Sequence, residues 1–277
     1  MTDTDIKKCF VIGDPVAYSL SPVMHTAAFS AMGIEAQYSF QAEQVKAQEL
    51  KKYIQRVRGD KNTHMLAVTI PHKEAIIYYL DKVDSLAREI GAVNNVLNKN
   101  GTLTGYNTDC EGAMRALKQH TVLFEKNVLL FGSGGSARAI IYGLIKERAI
   151  VTICSRNKDK ALELASAFGC KSLEWNERNN IEGVDIIVNT TPIGREGEAF
   201  PIMEGVKANH IVFDVNYNSN GTPLVAMAKQ KGATAIDGLE LLLQQGMLQF
   251  EMYTGLKAPE DAMRKALLNY KAHSNAV

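Results

Sequence analysis

The residues able to do chemistry in this 277-residue sequence cluster where apolar runs give way to polar loops. Ala67-Val-Thr-Ile-Pro-His-Lys73 brings a hydroxyl, Thr69, and an amine, Lys73, to the end of an apolar run. In α/β sheets, ligands bind outside the carboxyl ends of strands. An ammonium placed there can polarise a carbonyl oxygen or exchange a proton with it. Gly13-Asp-Pro-Val-Ala-Tyr-Ser-Leu-Ser-Pro22 carries Ser19 and Ser21, Gly91-Ala-Val-Asn94 adds an amide, and Gly105-Tyr-Asn-Thr-Asp109 adds a carboxylate. Each also has a plain structural use: Ser21 as a helix cap, Lys73 as a solvated lysine, Asn94 and Asp109 as turn or cap residues.

A second chemistry lies further along. Val128-Leu-Leu-Phe131 runs directly into Gly132-Ser-Gly-Gly-Ser-Ala-Arg-Ala139 and then an apolar helical stretch, Ile140 to Ile145. Glycine permits a tight turn and lets backbone N–H groups approach a pyrophosphate at a helix N-terminus, where the peptide dipoles favour an anion. Gly132, Gly134 and Gly135, followed by Ser136 and Ala137, are the candidate cradle. Glycines also serve ordinary turns, and it is the strand before and helix after that select the dinucleotide reading.

About 20 residues beyond such a loop, an NAD site places an acid for the ribose hydroxyl and an NADP site a cation. Here Ile150 to Cys154 ends in Ser155-Arg156-Asn157-Lys158, with no acid at the strand end. The planar fork of Arg156 suits a 2′-phosphate, with Ser155 and Asn157 donating hydrogen bonds and Lys158 adding charge. The pattern favours NADP. The competing reading is a solvated charge cluster, which a helix N-terminus disfavours without an anion to face.

The elements that must position these groups alternate as βα units. Strands are expected at Phe10 to Ile12, Tyr38 to Gln41 and Met65 to Ile70. Helices are expected from Pro22 to Gly33, over Glu43 to Arg58, and from Pro71 through Leu80. Asn94 to Asn98 and Thr102 to Tyr106 flank Asn100-Gly101 and read as a hairpin on a tight turn. A helix over Glu111 to His120 leads into a second unit with strands at Asn127 to Phe131, Ile150 to Cys154, Asp185 to Asn189, Ile211 to Val215 and Thr234 to Ile236. Helices over Leu239 to Tyr253 and Pro259 to Tyr270 feed no strand and are expected to fold back on the first unit. The fold class is therefore α/β with two domains: a substrate domain, residues 1–110 completed by 239–277, with a mainly parallel sheet, and a doubly wound Rossmann-type domain, residues 111–238.

Composition narrows the function. Hydrophobic residues make up 46% and charged residues 22%, enough to bury full cores. Lys plus Arg total 31 against 30 Asp plus Glu, leaving no basic excess for nucleic acid or an anionic membrane. Cys9, Cys110, Cys154 and Cys170 lie too far apart for the usual metal-ligand spacings and read as free thiols. No signal peptide or apolar span is visible, so a cytoplasmic protein is expected.

Taken in order, these segments resemble the shikimate dehydrogenase family. The family's motifs match Ser19-Leu-Ser-Pro22, Val68 to Lys73, Asn107-Thr-Asp109, the glycine loop with Arg156, Asn189-Thr-Thr-Pro-Ile-Gly194, Asp214-Val-Asn-Tyr217, and Asp237-Gly238 leading to Gln245. The resemblance implies an NADP-dependent reduction of 3-dehydroshikimate to shikimate, in the pathway to aromatic amino acids. It implies that Ser19, Ser21, Thr69, Asn94, Asp109 and Gln245 bind substrate, with Tyr217 nearby, and that Lys73 and Asp109 are the catalytic pair. Thr190 and Gly238 would lie near the cofactor. Departures from the family pattern fall at Thr26, Asn95, Ser155, Arg195 and Tyr253.

Moving hydride to a ketone requires a proton at its oxygen, and a protonated Lys73 can supply it while Asp109 orients the lysine and a substrate hydroxyl. The alternatives are a quinate/shikimate dehydrogenase using NAD or NADP, against which Ser21 argues; a nucleotide sensor without catalysis, which needs neither Lys73 nor Asp109; and a methylene-tetrahydrofolate dehydrogenase, which leaves Ser19, Ser21 and Gln245 unexplained. A monomer or homodimer acting on a small molecule is expected.

Overall fold

The computed structural model describes residues 6–201, 205–218 and 221–274. The chain divides into two compact units, one of residues 1–108 with 245–270 and the other of residues 109–244 with 271–277.

The first unit begins with β1 (Lys7–Gly13), α1 (Ser21–Ala31), β2 (Tyr38–Gln44), α2 (Leu50–Gly59) and β3 (Thr63–Val68). It continues with β4 (Lys82–Val83), α3 (Ser85–Ile90), β5 (Asn95–Lys99) and β6 (Thr102–Tyr106). Six strands form one sheet in the order β2-β1-β3-β5-β6-β4. β1 pairs parallel with β2 and β3, β4 pairs parallel with β6, and β5 runs antiparallel to both β3 and β6. Ile12, Leu66, Val68 and Val96 pack with Leu50, Ile54 and Val57 of α2 on one face. The hairpin expected at Asn100-Gly101 forms, with Asn100 at φ 54 and Gly101 at φ 88.

Two expectations fail here. The charged run from Glu43 does not start a helix: β2 continues to Gln44 in register with Gly13, and a 3₁₀ turn at Ala47–Glu49 precedes α2. Nor does Pro71 open an α-helix. The Thr69 carbonyl accepts the His72 N–H at 3.0 Å in a tight turn, the His72 ring bonds the Val45 carbonyl at 2.6 Å, and only a 3₁₀ segment at Ala75–Tyr79 follows. Burial of the His72 ring holds the chain away from helical geometry at this point.

The second unit comprises α4 (Asp109–Lys118), β7 (Asn127–Phe131), α5 (Gly135–Lys146), β8 (Ile150–Cys154), α6 (Lys158–Phe168), β9 (Lys171–Leu173), β10 (Ile186–Asn189), β11 (Ile211–Asp214), α7 (Pro223–Gln230) and β12 (Thr234–Ile236). It also includes the start of α8 (Gly238–Thr254). Its six strands are all parallel, in the order β12-β11-β10-β7-β8-β9. The direction of winding reverses between β7 and β10, the doubly wound Rossmann arrangement. β7 shows why the sheet is apolar throughout: Val128 and Leu130 enter one core, while Leu129 and Phe131 enter the other. The later part of α8 and most of α9 (Glu260–Ser274) belong to the first unit. No helix among the described residues is long and apolar enough to cross a membrane.

Candidate functional site

In the first unit, backbone bonds gather the polar loops at one edge of the sheet. The Asp14 N–H reaches the Ile70 carbonyl and the Thr69 N–H the Ile12 carbonyl, each at 2.9 Å, tying the loop after β1 to the loop after β3. Gly13 is required by this approach, because a Cβ there would lie 2.4 Å from Thr69 Cγ2. The Lys73 carbonyl accepts the Val93 N–H at 2.8 Å, and the Asn94 carbonyl accepts the Val68 N–H at 2.8 Å. Since β5 runs antiparallel to β3, its start meets the end of β3, and Thr69, half-buried Lys73 and Asn94 share one edge.

Ser21 does not cap α1, whose N-cap is Leu20 with no side-chain cap bond. Ser19 Oγ instead accepts the Ser21 N–H at 3.4 Å and donates to Ser21 Oγ at 3.3 Å, which leaves the Ser21 hydroxyl hydrogen for another acceptor. Asn94, buried, donates to Thr108 Oγ1 at 2.9 Å and Gln245 Oε1 at 3.3 Å and accepts the Thr108 N–H at 2.7 Å. Gln249 donates to Gln245 Oε1 at 2.7 Å. Asn94 and Gln245, distant in sequence, thus meet through Thr108 and Gln249, which the sequence reading missed. The signal available was the four-residue spacing of the two glutamines on one helix face.

Behind this group, His25 is fully buried and stacks on Phe40 with centroids 4.4 Å apart. Burial pushes its imidazole down to about 3, so it is neutral near pH 7. It shares a 2.9 Å hydrogen bond with Tyr253, which rationalises a hydroxyl-bearing ring at that departure from the family pattern.

The second unit presents the cofactor candidates. Gly132 adopts φ 116, and a Cβ there would lie 2.3 Å from Thr190 Oγ1, which itself donates to the Phe131 carbonyl at 2.6 Å. Gly134 is the N-cap of α5 and contributes no side-chain cap, and the first turn, with Gly135, Ser136 and Ala137, carries no acid. Uncapped N–H groups and the helix dipole fit a pyrophosphate. Ser155 Oγ lies 3.1 Å from Ser133 Oγ, linking the end of β8 to the glycine loop. Arg156 is exposed, and Asn157 caps α6 by accepting the Lys160 N–H at 3.0 Å. Lys158 pairs with Glu174 at 2.5 Å, so its charge is already matched.

Gly238 is also sterically required: a Cβ would meet the Val215 and Asn216 carbonyls at 2.3 and 2.6 Å. Tyr217 is half-buried after β11. Asp109 is buried as the first residue of α4 and clusters with the second unit. Among the described residues no group of three or more His, Cys, Asp or Glu could hold a metal.

These features coincide with what the chain is similar to. Residues 11–96 match the family model "Shikimate dehydrogenase substrate binding domain" and residues 238–268 "Shikimate 5'-dehydrogenase C-terminal domain". Residues 127–217 match "NADP oxidoreductase coenzyme F420-dependent". The shikimate dehydrogenase (NADP(+)) of Nitrosopumilus maritimus is 41% identical over 93% of this chain and 97% of its own. The crystal structure of shikimate dehydrogenase from Aquifex aeolicus superposes with a TM-score of 0.90 at 37% identity, covering 96% of this chain and 99% of that one. The Thermus thermophilus shikimate 5-dehydrogenase, solved with NADP(H) and shikimate, superposes at 0.86 with 33% identity, covering 96% and 100%. With a Rossmann unit that lacks the NAD-type acid, a polar edge built from Ser19 to Gln245, and identity above 40% over nearly its whole length, the chain belongs to the shikimate dehydrogenase family.

Proposed function

We propose that this chain interconverts 3-dehydroshikimate and shikimate with NADP(H), as a cytoplasmic monomer or homodimer. The observation that carries the reading is the end of β8: where an NAD site needs an acid, the chain places exposed Arg156, beside an uncapped α5 and within a family whose solved member holds NADP(H) and shikimate. Gly132, Gly134, Gly135, Ser136 and Ala137 would hold the pyrophosphate. Arg156, Ser155 and Asn157 would hold the 2′-phosphate, with Lys158 contributing little because Glu174 already matches its charge, and Thr190 and Gly238 would shape the nicotinamide end. Bound NADP(H) supplies or accepts the hydride.

The remaining work falls to side chains. Ser19, Ser21, Thr69, Asn94 and Gln245 would hold substrate hydroxyls and carboxylate, with Tyr217 near them. Lys73, as ammonium, would donate the proton to the ketone oxygen during reduction and take it back in oxidation, while Asp109 holds a hydroxyl as a carboxylate acceptor. Absorbance at the reduced-nicotinamide band, with shikimate or quinate and NADP or NAD, tests the reading. Turnover with shikimate and NADP supports it. Preference for quinate or NAD replaces it with the quinate/shikimate reading, and no turnover with any pair overturns it.

A further inference from the structure

The Asp214-Val-Asn-Tyr217 segment contains a buried carboxylate that the proposed chemistry does not use. Asp214, Asn189, Asn216 and Thr222 are all at most 3% exposed. Asp214 accepts from Thr222 Oγ1 at 2.7 Å, Asn189 Nδ2 at 2.9 Å, and the Asn216 N–H and Nδ2, each at 3.0 Å. Its donors then reach outward. Asn189 Nδ2 donates to the Ile193 carbonyl at 3.0 Å, and Asn189 Oδ1 accepts from the Thr191 N–H at 2.9 Å. Asn216 Nδ2 donates to the Thr191 carbonyl at 2.7 Å, and its own carbonyl accepts the Gly238 N–H at 3.1 Å.

One carboxylate therefore keys the loops after β10 and β11 and the start of α8. Their place in the sheet says what they face. A dinucleotide whose pyrophosphate sits after β7 and whose 2′-phosphate meets Arg156 after β8 must extend its other half across the winding reversal, over the ends of β10 and β11. We infer that Asp214 is a positioning residue that shapes the nicotinamide half of the cofactor site through Asn189, Asn216 and the 190–194 loop, without touching the cofactor. Burial pushes its carboxyl up to about 6 against the four hydrogen bonds that hold it down. An acceptor-only group is needed here, because every neighbour donates.

The inference rests on the proposed NADP site, and its test separates the two. NADPH and 2′,5′-ADP, which lacks the nicotinamide half, are titrated into the full-length protein and into Asp214→Asn, Thr222→Val and Thr222→Ser. Asn at 214 would turn an amide donor toward donors. The expected result is an NADPH dissociation constant raised about tenfold or more in Asp214→Asn and by a smaller factor in Thr222→Val, with 2′,5′-ADP binding within about twofold of the unaltered protein and Thr222→Ser near normal. Equal weakening of both probes shows general structural support and overturns the inference, as does unchanged NADPH binding. If Asp214→Asn does not fold, the Thr222 pair alone decides by the same criteria. If the unaltered protein binds neither probe, the NADP reading itself falls.

Discussion

In the first unit the candidate site residues hydrogen-bond to one another: Asn94, Thr108 and Gln245 share donors and acceptors at the sheet edge, braced by Gln249. In the second, the wiring lies beneath the surface at Asp214, and what faces outward is uncapped backbone at α5 and the Arg156 guanidinium. A small polyol leaves no room for error in direction, so its hydroxyls are best met by groups already fixed by each other. A dinucleotide offers charged phosphates, which backbone dipoles and a flexible cation hold without such interlocking. The supports differ in charge too: a neutral imidazole, His25, stands behind the first site, and a carboxylate behind the second.

That last difference gives the largest expected effect. His25 has a lower pKa folded, about 3, than its ordinary 6.5, so between those values the unfolded chain binds the extra proton and the first unit loses stability as pH falls, by at most roughly 5 kcal/mol. Asp81, held low by the Leu103 N–H and Arg58, pushes the same way. So do two groups of the second unit, His210, lowered by burial, and Asp185, held low against its burial by the Asn127 N–H and Lys126, so the contrast rests on His25 against Asp214. Asp214 has the reverse sign: its folded pKa of about 6 exceeds the ordinary 3.8, so the second unit gains from this group as pH falls through that window, by at most roughly 3 kcal/mol. Hydrogen exchange at pH 4.5 and 7 should show protection in β1 and β3 falling more than in β7 and β10. Equal losses in both sheets would break the comparison.

A catalytic substitution should respect the same division. Lys73→Ala is expected to lower kcat by roughly 10²- to 10⁴-fold, in the range of a lost general acid, with NADP binding intact by titration. Weakened NADP binding would show that the two sites are not independent. Next in size, Arg156→Ala should reduce the preference for NADP over NAD by roughly 10- to 100-fold, as measured by the ratio of kcat/KM values, with the KM for shikimate unchanged.

Much of this was legible because strong patterns carried it. Val128 to Phe131 followed by glycines announced β7 and its helix, and Asn100-Gly101 announced the hairpin. β9 was not legible, since Lys171–Leu173 is an exposed edge with no apolar run, and β4 is only Lys82–Val83. The segment after Pro71 misled because a proline suits a helix start locally, while the buried His72 ring and its bond to Val45 override that preference. Asn94 and Gln245 stood out by motif, whereas Thr108, Gln249 and the Asp214 network emerge only from three-dimensional pairing between distant segments.

The smallest effect concerns Lys158, which sequence places beside Arg156 as a second cation for the 2′-phosphate. In the structure its ammonium is at 2.5 Å from Glu174 and the side chain is largely in water. A pair in water contributes little, and a cation already matched by a carboxylate adds little net field toward a phosphate. Lys158→Ala should therefore change the KM for NADP by less than about threefold, far below Arg156→Ala, and Glu174→Gln should tighten NADP slightly, because it unmasks the lysine. Measured at low and at 0.5 M salt, both changes should shrink together as the ions are screened. A loss in Lys158→Ala as large as that of Arg156→Ala would mean that the lysine leaves Glu174 for the phosphate, and that the outward-facing half of the second site is rebuilt by its ligand rather than poised for it.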